Sequence, residues 1–317
     1  MAPHIPQPIV LLMASREWRM HHYIWHSVRN LWLFFNDAQR QTIRDLGWEP
    51  PRPATRPAPG NRRDPILDNL SGEDFLYMHR KMIAIVNAQL AQVADPSYPR
   101  VQGWPQIPRP ADVDYPVPPA WLSGNAGLDT YLQNVKSDAF FAAQFLPWEQ
   151  DYTDPVKLAG WTLGEFGSRL EFTIHNQLHM RFCAEPVTTG IRPDLDPTHP
   201  DTIDIRWDVP TYDWLGDTYS SHVNSVFWRL HGWVDDRIEA WKQAHHMVGE
   251  IPWQGTWIGK PMVHPNPASF VSILSAHEAH GHAGHGGGNM AEMEKIMKLL
   301  ARSGHFGHFY DDIKFQK

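Results

Sequence analysis

Met20-His21-His22-Tyr23-Ile24-Trp25-His26 lies within Arg16 to Phe35, a stretch dense in aromatic and apolar side chains and free of glycine and proline. Such a run predicts a helix. His22 and His26 are four residues apart, so on that helix their side chains share one face, one turn apart. Two imidazoles so placed can converge on one metal ion, and the same spacing also suits a hydrogen-bonded pair. The device returns in Ile174-His175-Asn176-Gln177-Leu178-His179, whose neighbours Phe172 and Phe182 are apolar. A histidine pair on a buried helix is costly unless it is hydrogen-bonded or metal-bound.

Working outward, two more helices each carry a single histidine. One is predicted from Ser71, read as an N-cap with Glu73 and Asp74 in the first turn, to about Val93, and it holds His79. The other runs from Tyr219 to about Met247 and holds His231. A lone histidine in an apolar helix is usually a satisfied core residue, but here each supplies a third ligand beside a helical pair. The second histidine pair falls on a predicted helix from Leu163 to Phe182. A continuation of the first helix, Asn36 to Leu46, has Asn36 and Asp37 as capping candidates. Proline-rich stretches separate these segments, Glu49 to Pro65 as a loop or extended excursion and Asp95 to Pro119 as a loop. A last helix is expected near Asn289 to Ser303. The expectation is an all-α fold, one domain over 1-317, with a four-helix bundle core at about 16-247, long proline-rich loops and a C-terminal extension over 248-317.

Composition narrows the function. The 317 residues are 42% hydrophobic and 20% charged, ordinary for a globular protein. A net charge of −7 argues against nucleic acid or a membrane surface as partner. No run approaches a bilayer span and no secretory leader is legible, so a cytoplasmic location is expected. One cysteine, Cys183, excludes an internal disulfide and any thiolate-based zinc or iron–sulfur cluster. Against it stand 19 histidines, a bias toward imidazole ligation of zinc, copper, iron or nickel.

Taken in chain order, these residues resemble the type 3 copper proteins of the tyrosinase and hemocyanin superfamily, and within them the arthropod hemocyanin and phenoloxidase branch. His21-His22-Tyr23-Ile24-Trp25-His26 is similar to that branch's first copper helix. Glu73 to Met82 resembles the helix that gives the third ligand of the first copper. His175-Asn176-Gln177-Leu178-His179 is similar to the HNxxH helix of the second copper, and Phe227-Trp228-Arg229-Leu230-His231 with Val234-Asp235-Asp236 to the helix that completes it. The resemblance implies two copper ions, the first held by His22, His26 and His79 and the second by His175, His179 and His231. Departures are plain. The length leaves no room for the flanking domains that cover the copper site in hemocyanins, which implies an open site. No cysteine lies near His79, so no cysteine–histidine thioether is expected. Asn224 and Ser225 stand where the family has an aspartate.

The implied activity is that of a copper oxidase or monooxygenase, with O2 as co-substrate, acting on a small phenol, catechol or aminophenol. The alternative is reversible O2 or copper binding without turnover. Chemistry on a phenol needs a base for the hydroxyl proton. By the same resemblance Asn176 orients a water for this step, with Glu165 or Glu171 as the assisting carboxylate; both glutamates also read as surface charges. Asp235 reads equally as an acceptor behind a ligand imidazole or as a salt-bridge residue. Trp25, Trp228 and Trp233 read as core, and His245 and His246 as dipole partners at a helix end. The Gly-rich tract with His277, His280, His282 and His285 reads as a loosely metal-binding tail.

Overall fold

The computed structural model describes residues 5–59, 62–186, 203–260 and 289–302. Among the described residues 58% are helical and 3% strand, which establishes a mostly helical fold. After a short α1 (Gln7–Met13), α2 covers Arg16–Leu31 and winds into a 3-10 turn, Trp32–Phe34. It stops where Phe35 turns extended, and Asn36 opens α3 (Asp37–Asp45) with a capping box closed by Gln39. The proline-rich segment that follows forms a two-stranded antiparallel hairpin, β1 (Thr55–Ala58) with β2 (Arg62–Pro65).

The next helix, α4 (Ser71–Val93), is bracketed by left-handed residues, Leu70 at φ 65° and Ala94 at φ 54°. Ser71 is therefore not the N-cap expected from sequence. Leu70 takes that place, the Asn69 side chain accepts from the Ser71 amide at 3.1 Å, and the Ser71 hydroxyl donates to Ile66 O instead. Beyond a proline-rich span come α5 (Ala126–Val135), α6 (Asp138–Phe140), a π-helical turn (Phe141–Phe145), α7 (Leu146–Asp151) and α8 (Pro155–Ala159). The predicted helix from Leu163 to Phe182 is continuous but not uniform: α9 (Leu163–Leu170) passes through a π-helical turn (Glu171–His175) into α10 (Asn176–Phe182). Helix α11 (Ser225–Ala244) begins later than expected. A 3-10 turn at Ser221–Val223 intervenes, and Asn224 caps α11 through the Val226 amide. The last helix, α12, spans Asn289–Arg302.

Glycine contacts fix how α4 meets α9. A Cβ placed on Gly72 would lie 2.1 Å from Gly164 O and 2.2 Å from Ser168 N, so the two backbones touch directly. A second such contact sits beside His231: a Cβ on Gly232 would approach Gly103 N to 2.4 Å. Between α2 and the π turn lies a buried ion pair. Arg29 donates to both oxygens of Glu171 at 2.6 and 2.5 Å, with side-chain exposures of 0% and 1%. Residues 251–260 strap over α2 and α4. The Glu73 carboxylate accepts from the Gln254 and Gly255 amides, and Asp74 accepts from the Trp257 amide and from Arg52. Trp257 stacks on Trp25, and Lys260 pairs with Glu292 of α12. Met293, Ile296, Met297 and Leu300 bury α12 in the same core as α2. Among the described residues no helix is long and apolar enough to cross a membrane.

Candidate metal centre

The six histidines singled out from sequence meet inside the core. Helix α2 supplies His22 and His26, α4 supplies His79, the π turn and α10 supply His175 and His179, and α11 supplies His231. Two groups have ligand nitrogens within 4.8 Å of one another: His22, His26 and His79, and His79, His175 and His231. His179 joins the second group, its Nε2 lying 3.2 Å from His175 Nε2, which is itself 3.0 Å from His231 Nε2. His79 belongs to both groups and stacks on His231 at 4.5 Å between centroids, so the two clusters adjoin.

What faces inward follows from what the other ring nitrogen does. His22 Nδ1–H donates to Thr218 O at 2.6 Å and His79 Nδ1–H to Phe75 O at 2.9 Å. His175 Nδ1–H donates to Asn176 Oδ1 at 2.9 Å, His179 Nδ1–H to Leu215 O at 3.0 Å and His231 Nδ1–H to Phe227 O at 2.7 Å. A carbonyl oxygen only accepts, so each Nδ1 carries the proton. Each Nε2 of these rings is then a bare lone pair. His175 Nε2 lies 3.0 Å from His231 Nε2 and 3.2 Å from His179 Nε2, all three rings being buried. Lone pairs do not hydrogen-bond to one another; a cation between them resolves the repulsion. His22 Nε2 and His79 Nε2 are buried with no hydrogen-bond partner. Orienting a metal-bound imidazole by an acceptor on its far nitrogen is the usual construction of histidine metal sites. Neutral imidazoles suit the role, and these rings are held neutral. Burial first, then the neighbouring histidines, pushes His22, His26, His175 and His231 well below the ordinary histidine value. Burial takes His79 down to about 3 and His179 to about 4.

The six rings are only 0–3% exposed. The open site expected from the chain's length is therefore not found among the described residues. The chain covers its own histidines: Phe227 stacks on His231 at 3.7 Å, Phe75 lies between His79 and His175, and Trp25 packs on His26 and His79. The candidate carboxylates are engaged elsewhere. Glu165 pairs with Arg169 along its own helix, at 2.7 Å, and Glu171 has both oxygens on Arg29. Glu171 is thus no surface charge but a buried brace between α2 and the π turn. Asn176 commits its side-chain oxygen to His175, so it holds that ring in place. Asp235 pairs with Arg80 at 2.6 Å, the salt-bridge reading, and His231 uses Phe227 O instead. His245 stacks on Trp241 at 4.0 Å. The tract with His277, His280, His282 and His285 lies outside the described residues.

Sequence reasoning passed over His222. It is fully buried, with Nδ1 3.1 Å from His22 Nδ1 and Nε2 3.0 Å from Met13 O. It also passed over the carbonyls of Leu215 and Thr218. Backbone acceptors leave no mark in residue identity, and His222 stands outside any helical spacing. No protein-family model matches the chain, and no curated protein matches it.

Proposed function

We propose that this chain is an oxidoreductase of the type 3 copper kind, holding two copper ions at the centre of α2, α4, α9–α10 and α11 and oxidising or ortho-hydroxylating a small phenol, catechol or aminophenol with O2. One observation carries the reading: lone pairs of buried, neutral imidazoles converge, with the far nitrogens of five rings tied to oxygen acceptors. The first ion would sit among His22, His26 and His79, the second among His175, His179 and His231. Copper on imidazole supplies two-electron chemistry with dioxygen when bound. The protein's own contribution is fourfold. It fixes the tautomer of five of the rings, excludes water, braces the two ligand-bearing segments through Arg29 and Glu171, and shields the clusters with Phe75 and Phe227. The same reading keeps the chain in the cytoplasm, where its one buried cysteine stays a thiol.

Burial of all six rings supports a second reading, reversible O2 binding without turnover, because a ligand as small as dioxygen reaches a sealed site more readily than a phenol. Both readings meet one experiment. Elemental analysis of the purified chain should return two coppers. Loading with Cu(I) and adding air and a catechol should give quinone colour for an oxidase, and an oxygen-dependent near-ultraviolet band without quinone for a carrier. His79→Ala and His231→Ala should each lower the copper content and abolish oxygen binding while the helical circular dichroism persists. Zinc in place of copper, or full oxygen binding in either variant, would sink the assignment.

A further inference from the structure

We propose that the loop Trp214–His222 is a positioning element shared by both metal centres, and that His222 is the positioning residue of the first. The inference rests on the two-centre reading above and extends it to residues that carry no ligand atom.

The loop reads Trp214-Leu215-Gly216-Asp217-Thr218-Tyr219-Ser220-Ser221-His222 and precedes α11. It is tied into one shape from within. Asp217, 3% exposed, accepts from the Tyr212 hydroxyl and the Tyr219 amide at 3.0 Å each. Its backbone oxygen accepts from the amides of Ser220 and Ser221 at 3.1 and 2.8 Å, and Ser220 Oγ donates to Trp214 O at 2.7 Å. The turn so formed aims two carbonyls at two different clusters. Leu215 O takes the His179 Nδ1 proton, and three residues on Thr218 O takes that of His22. Each centre therefore has one ligand ring whose orientation this loop sets.

His222 adds a second hold on His22. Its Nε2–H donates to Met13 O at the end of α1, which leaves the lone pair of the neutral ring on Nδ1. That lone pair lies 3.1 Å from His22 Nδ1, on the side of His22 that also faces Thr218 O. The His22 N–H is thus shared between two fixed acceptors, and the rings stand at 77° to each other, 4.8 Å apart. His222 is itself fixed, since Trp228 Nε1 donates to its carbonyl at 3.0 Å. With Nε2 spent on Met13 and Nδ1 turned to the far nitrogen of His22, His222 acts through that ring and not as a ligand.

The test is a Cu(I) titration of the full apo-chain against a competing chelator, under argon, with circular dichroism checking the fold of each variant. Wild type takes up two coppers. His222→Ala weakens one copper by about 10- to 100-fold, the range for loss of an acceptor behind a metal-bound imidazole, and leaves the other unchanged. His222→Asn, whose amide oxygen replaces the Nδ1 acceptor, restores it, and His222→Gln, whose amide NH2 instead reaches toward Met13 O, does not. The Asn and Gln pair decides the matter if the alanine variant does not fold. Asp217→Ala, which slackens the turn, weakens both coppers. Two wild-type affinities in His222→Ala, or Asn and Gln behaving alike, overturns the role of His222. An Asp217→Ala chain that loses affinity at one centre or neither overturns the sharing. A wild-type chain that takes up fewer than two coppers overturns the two-centre reading itself, and this inference with it.

Discussion

At the level of single residues, the histidine cluster is a set of bases kept from their protons. Burial holds His79 neutral down to about 3 and His179 to about 4, whereas in an unfolded chain each would titrate near 6.5. Below 6.5 the unfolded state binds more protons than the folded one. The contribution of these rings to stability is thus fully present above 6.5 and lost as pH falls toward 3–4. Denaturant midpoints of the metal-free chain should therefore decline steadily from pH 7 to pH 4, with the slope reduced in His79→Ala. A flat profile would count against six buried neutral rings. The Arg29–Glu171 pair makes a separate prediction. Removing Arg29 alone strands a buried carboxylate, so Arg29→Met should cost about 3–5 kcal/mol in urea unfolding. Arg29→Met with Glu171→Leu should recover most of that loss. Equal losses in the single and double variants would mean the pair is not the brace described.

At the level of elements, close approach of backbones is what the glycines secure. Gly72→Ala would force its methyl against Gly164 O, so α4 and α9 must part. A destabilisation of roughly 1–3 kcal/mol is expected, or more where backbone has to shift, with weaker metal uptake because His79 rides on α4 and His175 on the π turn that continues α9. A thermal midpoint unchanged from wild type would refute the contact. The helices that carry the histidine pairs were legible because helical spacing writes itself into sequence. His22 with His26 and His175 with His179 announce a shared face, and the apolar periods around them announce burial. The single histidines have no spacing of their own: beside two pairs they read as third ligands, and the family resemblance alone said which pair each would join. The π turn at Glu171–His175 was not legible, because it depends on tertiary partners: Thr173 donates to Arg169 O and bonds to the Tyr152 hydroxyl, and Glu171 is held by Arg29. Nor could sequence foresee that this ion pair would remove Glu171 from the list of bases. Short helices such as α5 and α8, capped by Asn125 and Asp154, fall between Pro119 and Leu163, where no element was expected.

At the level of the whole molecule, segments distant in sequence close over one centre. The strap of residues 251–260 depends on Asp74, fully buried, which takes Arg52 and the Trp257 amide together. Asp74→Ala should render this strap sensitive to limited proteolysis while the remaining helices stay protected, and cleavage no faster than in wild type would show that the strap is held otherwise. The sealing of the six imidazoles has a kinetic corollary. A metal ion that no solvent touches cannot leave by stepwise exchange with an outside chelator; the helices must first part. Extraction by excess chelator should then proceed at a rate independent of chelator concentration, set by the same breathing that exposes the amides of α4 and α11 to deuterium. The protein's grip on its metals would be a property of how seldom it opens, as much as of how well it binds.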